Sequence, residues 1–241
     1  MLQCHVIKIP SEAFVKKALS YFTRFELILW ISSALLILGS FLWFDRSNHL
    51  SLLASLIGIT SLIFCAKGNP LGQGLMILFA LFYGYISLTF AYYGEMITYL
   101  GMTLPMALVA LISWLKNPYK GNKAEVRVNR LFKGEWALIA VLTVLVTVTF
   151  YFILKHFGTA NLLPSTFSIT TSFVAVYLTA RRSPYFALAY AINDVVLIVL
   201  WVLASIADVH YVSVVVCFVA FLFNDLYSFV NWQKMKKRQT E

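Results

Sequence analysis

The chain has 241 residues, of which 61% are hydrophobic and only 12% charged, with a net charge of +9 and a mean hydropathy of +0.81. So few charged residues cannot cover the surface of a soluble globule of this size, which excludes soluble enzymes and indicates an integral membrane protein. Apolar runs recur to the C-terminal end, so we expect no cleaved signal peptide.

The first predicted element is a basic N-terminal segment, which precedes the long apolar runs. Residues 1–24 carry Lys8, Lys16, Lys17 and Arg24 among apolar residues. This composition is typical of a basic amphipathic segment that lies on a membrane surface.

Eight apolar runs follow, each long enough to cross a bilayer, which needs about 20 residues in helical form. The runs cover residues 25–44, 49–67, 72–93, 96–116, 136–155, 162–180, 185–207 and 211–232. Backbone polar groups in lipid must be paired within each segment, and the ten-residue alternation of a barrel is missing. The sequence therefore predicts an all-α polytopic membrane protein with eight transmembrane helices.

Lysine and arginine are distributed unevenly between the two sides of these spans. The N-terminal segment, the loops after spans two, four and six, and the tail hold 17 of them, whereas the other loops hold 2. Cytoplasmic segments are enriched in basic residues, so both termini are predicted to be cytoplasmic. Residues 117–135 then form a basic cytoplasmic loop and residues 233–241 a basic cytoplasmic tail. The positive charge is explained by topology, and no nucleic-acid partner is expected.

Two pairs of span ends suggest an internal repeat. Spans two and six are followed by Pro70 and Pro184, an offset of 114, and spans four and eight end near Trp114 and Trp232, an offset of 118. This spacing predicts two parallel three-helix units joined by a linker helix (3+1+3), with one extra N-terminal helix. The units are residues 49–116 and 162–232, the linker 136–155 and the extra helix 25–44. In transporters built from repeats, substrate binds near the midplane between them.

The alternative is that the matched tryptophans are accidental, because membrane helices often end in aromatic residues at the interface. On that interpretation the tryptophans near span ends are interfacial anchors. They are Trp30, Trp43, Trp114, Trp136 and Trp232.

Motifs for catalysis or metal binding are missing. The sequence has no GxSxG elbow, HExxH helix or glycine-rich phosphate loop. Its four histidines lack metal-ligand spacing, and its three cysteines form an odd set without pair spacing. We expect no catalytic residue, no metal and no cofactor.

Two Asn-Asp pairs lie deep within spans, Asn193 with Asp194 and Asn224 with Asp225. A carboxylate at that depth costs about 3 kcal/mol, so it faces a cavity or a partner. The alternative role is a hydrogen bond to a neighbouring helix, worth about 0.6 to 2 kcal/mol. Helical spacing places Tyr190, Asp194 and Trp201 on one stripe of span seven. Carboxylates and aromatic rings without a nearby cation favour a neutral or cationic planar heterocycle joined to a sugar.

Several stretches resemble the bacterial nicotinamide riboside transporters of the PnuC family. They are KGNPLGQ (67–73), YGE (93–95), LP…W in span four, N…LW in span seven and ND.Y…W in span eight. The resemblance implies a SWEET-like fold, a homotrimer among inner-membrane lipids, and facilitated diffusion made one-way by a cytoplasmic riboside kinase. It implies substrate contacts at Gln73, Asn193, Trp201 and Asn224, with Tyr83, Asp194 and Tyr227 as further candidates.

Three hypotheses follow. The first is a passive nicotinamide riboside carrier that works by alternating access. The second is a proton-coupled carrier of a related nucleoside-like or cationic heterocyclic molecule, in which Asp194 or Asp225 carries the proton. The third is a membrane enzyme or scaffold, disfavoured because the two aspartates are the only intramembrane groups suited to catalysis.

Overall fold

The structure is a computed structural model that describes residues 20–89, 93–159 and 161–241. Most of the predicted N-terminal segment, residues 1–19, lies outside the described residues. Within the described part, eight helical segments are long and apolar enough to cross a membrane, which confirms the predicted fold class. The helices are α1 (Arg24–Phe44), α2 (His49–Ala66), α3 (Pro70–Thr89), α4 (Tyr93–Thr98), α5 (Leu104–Leu115), α6 (Lys133–His156), α7 (Leu162–Ala180), α8 (Phe186–Ser205) and α9 (Val212–Arg238).

Some helices extend beyond the predicted spans, because polar residues continue the helix past its apolar part. A π-helical turn, Tyr99–Thr103, joins α4 to α5, so these two helices form the fourth span. Helix α9 runs on to Arg238, past the predicted end at residue 232. Its last turn is basic, which the negative C-terminal end of the helix dipole favours. Hydropathy marks the apolar part of a helix and misses such extensions.

Six helices form a closed ring. In order around the ring they are α2, α3, α5, α7, α8 and α9, and α9 contacts α2 again. Helix α1 packs outside the ring against α2 and α9, and α6 packs against α7. The ring pairs helices of the first predicted unit with helices of the second at two junctions, α9 with α2 and α5 with α7.

Matched hydrogen bonds occur at these two junctions. The indole N–H of Trp114 donates to the carbonyl of Thr179, and that of Trp232 donates to the carbonyl of Cys65, both at 2.9 Å. The turns after α2 and α7 also match, since Gly68 (φ 66°) and Arg182 (φ 55°) both have left-handed backbone. Glycine adopts this conformation without the steric cost that Arg182 bears. The contacts agree with the 114-residue offset, while the full 3+1+3 arrangement stays a prediction.

The segment 117–135 contains a β-hairpin that the sequence did not predict. Strands β1 (Pro118–Tyr119) and β2 (Asn122–Val126) pair antiparallel around a turn with positive φ at Lys120 and Gly121, as two-residue hairpin turns require. The backbone N–H of Val126 donates to Gly68 O at 2.9 Å, and a residue just beyond the hairpin, Asn129, donates to Arg182 O at 3.0 Å. The segment therefore connects the two matched turns.

Candidate functional site

A cluster of large aromatic side chains closes the six-helix ring at the end where the hairpin lies. Trp114, Phe186 and Trp232 are almost fully buried, with ring centroids 5.4 Å apart for Trp114 and Trp232 and 4.8 Å for Phe186 and Trp232. We call these three residues the tryptophan cluster. The interpretation of Trp114 and Trp232 as interfacial anchors is wrong, because their N–H groups bond carbonyls of the facing unit rather than the membrane surface.

A cavity lies inside the ring, on the far side of the tryptophan cluster from the hairpin. Water-sized spheres can occupy about 70 Å³ of this central cavity, within a wider recess of about 780 Å³ that includes open solvent. Its polar walls are Glu95, Thr98, Thr103, Thr159, Ser165, Ser168, Ser172, Tyr190, Asn193, Asp194 and Asp225. Its apolar walls include Met76, Phe79, Tyr99, Leu197, Phe218 and Phe221. The cavity wall therefore combines polar groups with aromatic rings.

Asn193 is held in a defined orientation by α7. The hydroxyl groups of Thr171 and Ser172 donate to its Oδ1 at 2.7 and 2.9 Å. Asn193 lines the central cavity and is 5% exposed. Because its oxygen is already paired with α7, the side-chain NH₂ group is the donor that Asn193 can offer to a molecule in the cavity.

Asp194 and Asp225 meet in the cavity wall, and we call them the acidic pair. Their carboxyl groups lie within interaction range of each other, and one can donate a hydrogen bond to the other only when it is protonated. One oxygen of each, Asp194 Oδ2 and Asp225 Oδ1, is buried without a partner among the described residues. No lysine or arginine is among the described residues that line the cavity. The pair can therefore accept hydrogen bonds from hydroxyl groups or balance a cation.

Gln73 lies beside the central cavity, towards the tryptophan cluster. It is 3% exposed, and its Nε2 donates to Cys65 Sγ at 3.2 Å. It lines a narrow gap between side chains that is too tight to hold a water molecule and that shares Met76 and Tyr190 with the central cavity. A molecule in the central cavity would reach Gln73 only by moving deeper.

Trp201 and Tyr83 lie in a different cavity, at the end of the ring opposite the hairpin. Water-sized spheres can occupy about 280 Å³ of this outer cavity, which shares no described lining residue with the central cavity. Trp201 does share a helix stripe with Asp194, but it is two turns away, roughly 10 Å along the axis. That separation places the two side chains in different surroundings.

Asn224 and Tyr227 face the extra helix α1 instead of either cavity. The Nδ2 of Asn224 donates to Ser33 Oγ at 3.0 Å, and the hydroxyl of Tyr227 donates to Glu26 Oε1 at 2.8 Å. The expectation of one chamber shared by Asn193, Trp201 and Asn224 is not met in this structure. Which face of span eight α1 covers could not be predicted from hydropathy or helical spacing.

The predicted substrate contacts omitted several residues that line the central cavity. Glu95, Tyr190 and Asp225 are among them, as is a row of serines on α7. Ser165, Ser168 and Ser172 are spaced by three and four residues, which places them on one helix face. That spacing was the signal available in the sequence.

Comparison with known proteins gives consistent matches. Residues 48–234 match the protein family described as nicotinamide mononucleotide transporter. The chain is 28% identical over 239 residues to the nicotinamide riboside transporter PnuC of Neisseria mucosa, covering 97% of this chain and 90% of that protein. It is 24% identical over 193 residues to PnuC of Haemophilus influenzae, covering 79% and 82%. A crystal structure of the vitamin B3 transporter PnuC superposes with a TM-score of 0.78 at 25% identity, covering 90% of this chain and 94% of the other.

Proposed function

The chain belongs to the nicotinamide mononucleotide transporter family, and from that premise we propose that it carries nicotinamide riboside across the bacterial inner membrane by facilitated diffusion. A family of transporters makes the chain a transport protein and not an enzyme. Two relatives named as riboside transporters match most of its length, which supports the choice of substrate.

The acidic pair is the observation that carries the choice of the riboside over the mononucleotide. Nicotinamide riboside is a pyridinium cation on a ribose, whereas the mononucleotide adds a phosphate with a charge of about −1.5 to −2. Asp194, Asp225 and Glu95 line the central cavity, and its described walls contain no lysine or arginine. A phosphate there would meet carboxyl groups without a cation to pair it.

The roles of individual residues follow from their positions. The NH₂ group of Asn193 binds the carboxamide or a ribose oxygen, and the acidic pair binds ribose hydroxyls and balances the pyridinium. The rings of Phe79, Tyr99 and Phe221 offer faces for the cationic heterocycle. Gln73 contacts the substrate in a deeper position, on its way past the tryptophan cluster.

The two ends of the helix ring differ, since the tryptophan cluster closes one end and the outer cavity lies at the other, and this difference fits alternating access. The excess of basic residues supports a cytoplasmic position for the hairpin end, and we assign the structure to a state closed on that side. Inward opening separates the two three-helix units at the tryptophan cluster. A cytoplasmic kinase that phosphorylates the riboside then prevents its return, because the product gains a phosphate that the cavity disfavours. The assembly is a homotrimer, as the family resemblance implies, and exposed apolar side chains on α6 face lipid or a neighbouring subunit.

Equilibrium binding to the purified protein in detergent tests the substrate assignment. We expect the riboside to bind at least a hundredfold more tightly than the mononucleotide, and Asp194→Asn with Asp225→Asn to weaken riboside binding. Tighter binding of the mononucleotide would overturn the assignment.

A second candidate function is proton-coupled uptake, which the presence of two neighbouring carboxyl groups in the wall of the central cavity favours. In vesicles with an imposed pH gradient, a coupled carrier would accumulate riboside above the external concentration, and an ionophore that collapses the gradient would abolish the excess. Uptake that only equilibrates the two sides, with or without the gradient, would eliminate this candidate.

A further inference from the structure

We propose that the outer cavity is a second binding site, which holds a planar, hydroxyl-bearing cation before it enters the central cavity. This inference rests on the proposed function and extends it, because the outer cavity lies at the end opposite the hairpin and so faces the outside. Its walls are Asp45, Ser47, Asn48, Ser51, Tyr83, Ile86, Ser87, Trp201, Asp208, His210, Tyr211 and Val214.

Two carboxylates give this cavity its charge. Hydrogen bonds from the backbone N–H and the ring of His210 lower the pKa of Asp208, so Asp208 is ionised at neutral pH. Burial raises the pKa of Asp45, and hydrogen bonds from Asn48 oppose that rise. The basic side chain among the described lining residues is His210, which bonds Asp208, and no lysine or arginine is among them. The cavity therefore attracts cations from the external solution.

Aromatic faces stand beside these carboxylates. The rings of Trp201 and Tyr211 have centroids 5.3 Å apart and are tilted by 48°, and Tyr83 contributes a third ring to the wall. A flat cation gains from contact with such faces, most of all with tryptophan. The serine and asparagine side chains of the wall can bond ribose hydroxyls.

The two cavities are neighbours along the same helices. One turn of α3 separates Phe79, in the central cavity, from Tyr83, in the outer cavity. One turn of α8 likewise separates Leu197, in the central cavity, from Trp201, in the outer cavity. The rings of Phe79, Tyr83 and Tyr99 pack between the cavities, with centroids 4.9 to 5.9 Å apart. Entry into the central cavity requires these rings to move, so binding in the outer cavity is a separate and earlier step.

Saturation binding of radiolabelled nicotinamide riboside to the purified full-length protein tests the inference. We expect two molecules per wild-type chain, and one per chain for the isosteric double variant Asp45→Asn/Asp208→Asn or for Trp201→Ala. We also expect the double variant to raise the external riboside concentration for half-maximal uptake by roughly tenfold. Nicotinamide, which is planar but neutral, should not compete at the outer site.

The outcomes separate this inference from the proposed function. One riboside per wild-type chain, together with unchanged half-maximal uptake in both the double variant and Trp201→Ala, would overturn the outer site and leave the carrier proposal intact. No riboside bound to the wild type would overturn the carrier proposal itself. Thermal unfolding of each variant identifies misfolded protein. The Asp208→Asn change keeps a side-chain oxygen that can accept the hydrogen bond from the backbone N–H of His210.

Discussion

Identical Asn-Asp pairs serve different purposes at the residue scale. Asn193 and Asp194 both line the central cavity, whereas Asn224 bonds α1 and its neighbour Asp225 faces the cavity. Adjacent residues on a helix point about 100° apart. One residue of a pair can therefore face the cavity while the other faces a neighbouring helix. The polarity of these residues was visible in the sequence, but the packing that divides Asn224 from Asp225 was not.

Asn193→Ala and its matched control Asn224→Ala should therefore change different properties, riboside affinity in the first variant and stability in the second. Asn193→Ala should weaken riboside binding by roughly tenfold, because one hydrogen bond to the substrate is worth about 1 to 2 kcal/mol. Asn224→Ala should leave binding unchanged and lower the free energy of unfolding by about 1 to 3 kcal/mol, because Ser33 loses a buried partner. Calorimetric binding and chemical unfolding in detergent measure both quantities. Equal losses of affinity would contradict the placement of Asn224.

At the scale of elements, α1 is attached to the ring by buried polar contacts. Glu26 is 1% exposed and forms an ion pair with Lys67 at 3.1 Å. The indole of Trp30 donates to Thr60 Oγ1 at 3.1 Å. Glu26 also completes a capping box with Thr23, which begins α1 at Arg24. The sequence could predict the helix from its hydropathy, but the contacts that dock it join residues far apart in the chain.

Removing one partner of the Glu26–Lys67 pair should destabilise the protein more than removing both. Glu26→Gln leaves a largely buried ammonium group without its partner and should cost roughly 3 kcal/mol of unfolding free energy. The double variant Glu26→Gln/Lys67→Met should cost less, because no charge stays buried. Unfolding curves in detergent decide the order, and a double variant less stable than Glu26→Gln would refute this account of α1 docking.

Close contact between α2 and α3 depends on Gly72. A Cβ atom there would lie 2.7 Å from Cys65 N and 2.9 Å from Ser61 O, both backbone atoms of α2, whereas a Cβ at Gly74 would meet nothing within 4 Å. We expect Gly72→Ala to lower stability by about 1 to 3 kcal/mol through overpacking and Gly74→Ala to be tolerated. Thermal unfolding monitored by size exclusion compares the two. A Gly72→Ala protein as stable as Gly74→Ala would show that the helices can separate without cost.

On the scale of the whole molecule, the closed end is fastened by individually weak hydrogen bonds, which include Ser113 Oγ to Ala180 O at 2.8 Å and Asn231 Nδ2 to Ala66 O at 2.7 Å. The indole bonds of Trp114 and Trp232 each cross between the two units, and each contributes about 1 kcal/mol net. The proposed alternating access requires this closure to open reversibly while the helices stay folded. The number of spans was predictable because hydrophobic length is a local property of the chain. The closure and the two cavities were not, because they depend on how helices pack: Trp201 and Asp194 share one helix stripe but belong to different cavities.

Riboside uptake into protein-containing vesicles, without a membrane potential or pH gradient, distinguishes passive carriage of the riboside from driven transport or no transport. With an empty lumen, the internal riboside should rise to the external concentration and stop. With a riboside kinase and ATP trapped inside, total label should accumulate well above that level. Entry no faster than into protein-free vesicles, or accumulation above the external concentration without the kinase, would contradict a passive riboside carrier.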